Sequence, residues 1–162
     1  MKESTGSLDG AGKRFALVVA RFNPVVTEEL LNGAIEALVE NGVARAALEV
    51  VRVPGAFELA PACARVLSRG GIDGVVALGC VIRGETPHFE FVAGEAARGI
   101  GGLAVQAAVT RFAGRPVPVI FGVLTTDDFE QAVRRAGGGK ENKGRDAALA
   151  ALEMANLYGM LT

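Results

Sequence analysis

The stretch GVVALGCVIRGETPHFEF, residues 74–91, combines an apolar strand with the start of a long helix. Gly74–Ile82 is short and rich in β-branched residues, without polar alternation, which is typical of a strand covered on both faces. From Phe89 to about Phe112, apolar residues recur at helical spacing. The stretch therefore predicts a strand followed by a crossover helix, the unit from which parallel sheets are built.

Three further strands are predicted, at Phe15–Ala20, Leu48–Val53 and Val117–Leu124, the second of them closed by Pro54-Gly55. Helical patterns lie between and after them, over residues 28–40, 58–69, 127–136 and 143–160. Strands that alternate with helices form a parallel sheet with helices on both faces. The sequence therefore predicts one three-layer α/β domain over residues 14–162, preceded by a tail of residues 1–13.

Three local signals set the expected boundaries of the helices. Thr27 is expected to cap the first helix, which places Glu28 and Glu29 in its first turn. Pro61 is tolerated in the second helix only within the first turn. A glycine-rich kink is expected at Gly137–Gly139, between the last two helices.

Composition excludes several classes of protein. The 162 residues are 50% hydrophobic with a net charge of −1, which excludes a disordered chain and a non-specific nucleic-acid binder. No window is long and apolar enough for a membrane span, and residues 1–12 contain no apolar leader. Two cysteines and one histidine provide neither a disulfide framework nor a zinc site. We therefore expect a cytoplasmic protein without a metal or nucleic-acid or membrane partner.

The unusual residues follow the predicted strands. Ligands of open parallel sheets bind beyond the carboxyl ends of the strands. Those positions hold aromatic, charged and hydroxyl side chains together with the only histidine of the chain, whereas the opposite edge is mostly alanine, glycine and ordinary surface charge. The residues that follow the strands are Arg21, Phe22, Asn23, Ala56, Phe57, Glu58, Arg83, Glu85, Thr86, His88, Thr125 and Thr126, and Phe121 lies towards the end of the fourth predicted strand.

These residue types suit a particular pair of ligands. Phe22, Phe57 and Phe121 offer flat apolar faces to a planar ring, and Glu58 accepts hydrogen bonds from a polyol. Thr86 at a helix start and Arg135 suit an anion. His88 exchanges protons near neutral pH. The pattern indicates a flat heterocycle with a hydroxylated tail that reacts with a phosphorylated partner.

Six segments resemble the 6,7-dimethyl-8-ribityllumazine synthase family. They are ARFN (20–23), VPGAFELAP (53–61), LGCVIRGETPHFEFV (78–92), PVIFGVLTT (118–126), RRAGGGKENKG (134–144) and ALEMANL (151–157). The resemblance implies a flavodoxin-like sheet of strand order 2-1-3-4. It also implies a transferase that makes 6,7-dimethyl-8-ribityllumazine, the penultimate step of riboflavin biosynthesis, without metal or organic cofactor. Its small-molecule substrates are 5-amino-6-(D-ribitylamino)uracil and 3,4-dihydroxy-2-butanone 4-phosphate, and phosphate and water are released.

The resemblance also implies roles for individual residues. His88 corresponds to the residue that transfers protons. The phosphate site corresponds to Glu85, Thr86 and Arg135. The remaining substrate contacts of the family fall on Phe22, Asn23, Ala56, Phe57, Glu58, Val81, Ile82, Phe121 and Lys143.

Assembly follows from the resemblance and from the spacing of strands. Strands lie about 4.8 Å apart, so in the order 2-1-3-4 the ends of the second and fourth strands are about 14 Å apart. Glu58 and Phe121 of one subunit therefore do not reach one small ligand together. The family implies a homo-oligomer built from pentamers with active sites between adjacent subunits, and an icosahedral shell stays open as an alternative to the pentamer.

Two features depart from the family. Glu85 stands where small residues are common, and its charge opposes a phosphate dianion unless the side chain points away. The segment from Leu103 to Arg115 is about two helical turns longer than is typical. We expect this insertion to lie away from the edge that carries the motifs.

Two other functions compete with the enzyme. A non-catalytic lumazine or flavin carrier, or a structural shell, requires the stacking aromatics but not His88, Thr86 and Arg135 together. A flavodoxin-like electron carrier requires a phosphate loop after the first strand. Glu28 and Glu29, expected at the start of that helix, oppose a phosphate there.

Overall fold

The computed structural model describes residues 1–110, 112, 114–137 and 141–161. Its strands are β1 (Phe15–Ala20), β2 (Leu48–Val53), β3 (Gly74–Ile82) and β4 (Val119–Thr126). Its α-helices are α1 (Pro24–Glu40), α2 (Leu59–Arg69), α3 (His88–Val109), α4 (Phe129–Ala136) and α5 (Lys143–Met160). The strands form one parallel sheet of order β2-β1-β3-β4, which confirms the predicted fold class and strand order.

The sheet is covered on both faces, as its apolar strands predict. On one face, Leu17 and Leu78 pack in a cluster with α1 and α5 residues such as Leu30 and Leu152. On the other face, alternate strand residues pack against α2 and α3. Every residue of β1 is buried, so β1 has no polar face and occupies the interior of the sheet.

The first helix begins earlier than Thr27, which corrects the expected cap. Asn23 adopts a left-handed conformation with φ 61° and ψ 57°, and Pro24 follows it at the first helical position. Proline suits that position because its missing N–H is not needed there. Thr27 lies buried within the helix, and the first turn contains no acidic residue. The charge argument against a flavodoxin-like phosphate loop therefore does not hold.

The fourth strand lies two residues later than predicted. Val117 and Pro118 precede it, and pairing with β3 extends from Val75↔Val119 to Ile82↔Thr126. Pro118 has no N–H to donate, although its carbonyl still accepts from the Val75 N–H at 2.9 Å. Because Val117 and Pro118 are as apolar as the strand that follows, hydrophobicity alone does not show where the strand begins.

The other boundaries are close to the expected ones. Helix α2 starts at Leu59 after a 3₁₀ turn, Ala56–Glu58, so Pro61 falls in its first turn. Helix α3 begins one residue before the expected Phe89 and ends at Val109, short of Phe112. Of the expected kink, Gly138 and Gly139 lie outside the described residues.

Arg115, at the end of the segment that begins at Leu103, lies at the edge of the sheet opposite the motif residues. Arg115 pairs with Asp73 at 2.7 Å and donates to the Ile72 carbonyl at 3.3 Å, just before β3 begins. This is the amino-terminal edge of the sheet, as expected.

The N-terminal residues lie against the body of the domain. The Asn156 side chain donates to the carbonyls of Ser7 and Asp9, and the Gly10 N–H donates to the Asn41 carbonyl. These contacts join the tail to α5 and to the end of α1. Within the part of the chain described here, no helix is both long and apolar enough to cross a membrane.

Candidate active site in two parts

A cavity of about 620 Å³ lies beyond the carboxyl ends of β1, β2 and β3, a volume typical of small-molecule sites. We call it the strand-end pocket. It contains nine of the predicted residues, and the remaining lining comes from their neighbours in sequence. The lining residues are Phe22, Asn23, Pro54, Gly55, Ala56, Phe57, Glu58, Cys80, Val81, Ile82, Gly84, Thr86, His88, Phe89, Phe91 and Val92.

The turn after β1 presents Phe22 to this pocket. The Phe22 backbone N–H donates to the Pro54 carbonyl at 3.1 Å, while the side chain is 71% exposed. Asn23 holds the turn from the other side, because its side-chain amide donates to the Cys80 carbonyl at 3.0 Å. A fixed backbone with an open aromatic face suits stacking on a planar ring.

The turn after β2 holds a carboxylate close to the backbone. The Glu58 N–H donates to the Gly55 carbonyl at 3.2 Å, which closes the 3₁₀ turn. A Cβ at residue 55 would lie 3.2 Å from Glu58 Oε2, so glycine leaves room for this carboxylate to fold over it. Ala56 is buried and Phe57 is exposed in the same turn. Such a turn offers both acceptor oxygens and an apolar face to a polyol chain.

The loop after β3 leads directly into α3. His88 is the first residue of that 22-residue helix and is exposed, and Thr86 lies two residues before it. Both line the strand-end pocket. A helix N-terminus carries a partial positive charge and unpaired N–H groups, which favour an anion near Thr86.

A second cavity of about 490 Å³ lies along the edge strand β4 and the helices beside it. We call it the edge-strand pocket. It contains the predicted residues that the strand-end pocket lacks, apart from Glu85, and the two linings share no residue. Its lining is Ile120, Phe121, Gly122, Val123, Leu124, Thr125, Arg135, Lys143, Asp146, Ala147 and Ala150.

The two cations of the edge-strand pocket differ in their partners. Lys143 Nζ lies 3.1 Å from a carboxylate oxygen of Asp146 and 3.7 Å from one of Glu141. The Arg135 guanidinium donates to the Gln131 carbonyl at 3.0 Å, and among the described residues it joins no ion pair. Arg135 is therefore the cation that retains donors for an external anion.

Two predicted residues occupy unexpected places. Glu85 is exposed and lines neither pocket. Phe121 was expected near the end of its strand, but it is the third of eight residues of β4 because the strand continues to Thr126. It pairs with Ala77 in β3 and is 42% exposed at the edge of the sheet.

Sequence reasoning missed several lining residues. Phe91 is 69% exposed and lies one helical turn after His88, on the same face of α3. An aromatic three residues after the only histidine was the available signal. Asp146 follows Lys143 at the same spacing and pairs with it, and no motif indicated that contact.

The two cysteines, Cys63 and Cys80, are buried free thiols, and Cys80 lines the strand-end pocket. Burial raises the pKa of Cys80 to about 11 and that of Cys63 to about 12. Both therefore stay protonated near neutral pH and are poor nucleophiles. Among the described residues, no group of three or more His, Cys, Asp or Glu is arranged to hold a metal ion.

Comparison with known proteins matches this chain to one family. The family model described as 6,7-dimethyl-8-ribityllumazine synthase matches residues 12–159. A protein of Chlorobaculum tepidum named 6,7-dimethyl-8-ribityllumazine synthase is 48% identical over 156 residues, which cover 96% of each chain. With its strand order and motif positions, the chain belongs to the 6,7-dimethyl-8-ribityllumazine synthase family.

Proposed function

We propose that this chain is the transferase that condenses 5-amino-6-(D-ribitylamino)uracil with 3,4-dihydroxy-2-butanone 4-phosphate. The products are 6,7-dimethyl-8-ribityllumazine, phosphate and water, in the penultimate step of riboflavin biosynthesis. One observation carries the assignment: a single pocket contains an exposed aromatic, a carboxylate on a tight turn, a helix N-terminus and the only histidine.

The residues of the strand-end pocket divide the substrates between them. Phe22 stacks on the pyrimidine ring, and Ala56, Phe57 and Glu58 bind the ribityl chain. The backbone at Val81 and Ile82 contacts the uracil edge, beside the Asn23 turn. These roles are supported by the shared pocket and by the matching family motifs.

The reaction requires proton transfers more than strong nucleophiles. A Schiff base forms between the 5-amino group and the ketone with loss of one water, phosphate leaves by β-elimination, and ring closure expels a second water. His88 exchanges the protons at the start of α3, while Thr86 and the helix N-terminus hold the phosphate. Most of the acceleration comes from the orientation of the two substrates, for which effective molarities reach about 10⁵–10⁸ M.

The second part of the site belongs to a neighbouring subunit. Phe121, Arg135 and Lys143 line a pocket that shares no residue with the strand-end pocket. Strand β4 lies at one edge of the sheet and β2 at the other, about 14 Å apart. Repeating one heterologous contact around a ring brings the edge-strand pocket of each subunit against the strand-end pocket of the next. We propose a homo-oligomer of pentamers with such shared sites.

The state of the two cysteines bears on the cellular compartment of the protein. Both Cys63 and Cys80 are unpaired buried thiols. Unpaired thiols are usual in proteins of a reducing compartment. This supports a cytoplasmic location.

An absorbance assay with the two purified substrates tests the function. The protein is expected to accelerate lumazine formation over the uncatalysed condensation and to release phosphate in equal amount. Protein that binds 6,7-dimethyl-8-ribityllumazine without accelerating its formation would instead be a non-catalytic carrier. Arg98→Met is a suitable control variant, because Arg98 pairs only with Glu95 among the described ion pairs and lines neither pocket.

A further inference from the structure

At the point where β3 ends, the Arg83 side chain contacts three residues, one beyond the end of β4 and two in α3. Its Nε donates to Asp127 Oδ1 at 3.0 Å, just beyond the end of β4. Another guanidinium nitrogen pairs with the Glu90 carboxylate in the first turn of α3. The same guanidinium carbon lies 4.4 Å from the centre of the Phe89 ring, a cation–π distance.

These contacts enclose the loop that carries Thr86 and leads to His88. Residues 84–87 connect Arg83 at the end of β3 to His88 at the start of α3. The Arg83 side chain contacts Phe89 and Glu90, the two residues that follow His88. The Arg83 backbone N–H also donates to the Thr126 carbonyl at 2.9 Å. One residue therefore joins both ends of the loop to the end of the neighbouring strand.

The two side chains that form ion pairs with Arg83 are largely exposed to solvent. The side chains of Arg83, Glu90 and Asp127 are 45%, 53% and 70% exposed. Ion pairs this exposed add little to folding stability, because water screens them. A planar guanidinium with two carboxylates and a ring nevertheless fixes direction, since its donors form a rigid fork. Orientation, rather than stability, is what this arrangement provides.

We propose that Arg83 is a positioning residue that holds the first turn of α3 so that His88 and Thr86 face the strand-end pocket together. The role rests on the proposed function, because it serves that reaction. Displacing a reacting group by about 1 Å costs up to about 100-fold in rate. Loss of Arg83 therefore lowers turnover and weakens binding of the phosphorylated substrate while the fold persists.

His88 is the only histidine of the chain, so its ring provides an unambiguous NMR probe. The experiment compares the His88 Cε1–H resonance, kcat and KM in wild type, Arg83→Met, Arg83→Lys, Glu90→Gln and the control Arg98→Met. Arg98 lies on the same helix and loses a comparable exposed pair with Glu95, away from the loop. The resonance is recorded without substrate and again with inorganic phosphate.

Arg83→Met is expected to lower kcat about tenfold or more, to raise KM for the phosphorylated substrate and to shift or broaden the His88 resonance. Arg83→Lys keeps the positive charge and is expected to recover part of the rate. The recovery is incomplete because one ammonium group does not satisfy both carboxylates. Arg98→Met is expected to match wild type in every readout.

A His88 resonance of Arg83→Met that superimposes on that of wild type, with kcat and KM within about twofold, would overturn the role. If Arg83→Met does not fold, Arg83→Lys and Glu90→Gln decide: wild-type resonances and kinetics in both would overturn it equally. A wild-type protein without activity would refute the proposed function, and the resonance comparison would still test whether Arg83 orients His88.

Discussion

The side-chain amide of Asn23 donates a hydrogen bond to the backbone carbonyl of Cys80 across 3.0 Å, and so joins the turn after β1 to β3. Asn23 makes this contact from a left-handed backbone conformation with φ 61°. Asparagine tolerates that conformation better than most residues do. One residue thus provides both the turn that presents Phe22 and its anchor to the centre of the sheet.

Replacing Asn23 separates these two contributions. Asn23→Gly keeps the left-handed turn and loses the hydrogen bond, which we expect to cost about 1 kcal/mol of unfolding free energy. Asn23→Ala loses the bond and also strains the turn, for about 1 kcal/mol more. Denaturant unfolding of both variants measures the difference. Equal stability of the two variants would show that the left-handed conformation carries no cost here.

Asn142 is expected to be important for stability. Its buried amide donates to the carbonyls of Glu29 and Ala136, and its Oδ1 accepts from the Arg145 N–H. A Cβ at Gly33 would lie 2.4 Å from the Asn142 amide, so α1 leaves space for it.

Asn142→Ala removes three hydrogen bonds, one of them to the buried Ala136 carbonyl, and we expect it to cost about 1–3 kcal/mol in denaturant unfolding. Asn32→Ala, at an exposed position of α1, is the matched control and is expected to change stability by less than about 0.5 kcal/mol. Indistinguishable losses in the two variants would contradict the role of the buried amide.

His88→Ala is expected to slow turnover without abolishing it. Proton transfer by one side chain contributes about 10²–10⁴-fold, and the orientation of the substrates remains. His88 is exposed, so the thermal midpoint is expected to stay close to wild type. Steady-state kinetics on protein of verified fold is the measurement. Complete loss of activity in a folded assembly would mean that His88 does more than exchange protons.

The thiol pKa values predict a dependence on pH. Because burial raises the pKa of Cys63 to about 12 and of Cys80 to about 11, the folded state binds protons that the unfolded chain releases near pH 9. The contribution of the two thiols to the free energy of unfolding is therefore complete below about pH 9. It decreases as the pH rises from there towards 11 and 12. Alkylation of both thiols should be slow in the native protein at pH 8 and fast after unfolding. Fast modification of native protein at pH 8 would contradict the burial.

Much of the fold was predictable because its strands are apolar and its helix boundaries carry clear signals. The bounds of β1, β2, β3 and α5 agree with the sequence pattern. The start of α1 was wrong because Asn23 and Pro24 begin the helix by a left-handed turn, which hydrophobic periodicity does not detect. The start of β4 was wrong because the apolar run begins before the pairing with β3 does.

The site was predictable in composition more than in arrangement. The rule that ligands bind beyond the carboxyl ends of strands brought Phe22, Glu58 and His88 to one pocket in advance. It did not predict that Glu85 lines neither pocket, since a one-residue change of direction in a loop leaves no periodic signal. The contacts of Arg83 join residues up to 44 positions apart and were likewise invisible in the sequence.

In the proposed active site, His88 of one subunit acts together with Arg135 of the next, and assembly of mixed mutants tests this sharing. His88→Ala and Arg135→Ala proteins, each weak alone, are unfolded, mixed in equal amounts, reassembled and assayed for lumazine formation. In a ring with shared sites, random mixing leaves about a quarter of the sites with both residues intact, so the activity should reach about a quarter of the wild-type value. If His88 and Arg135 of the same subunit formed the site, no intact site would arise, and activity equal to the average of the two mutants would contradict a site shared between subunits.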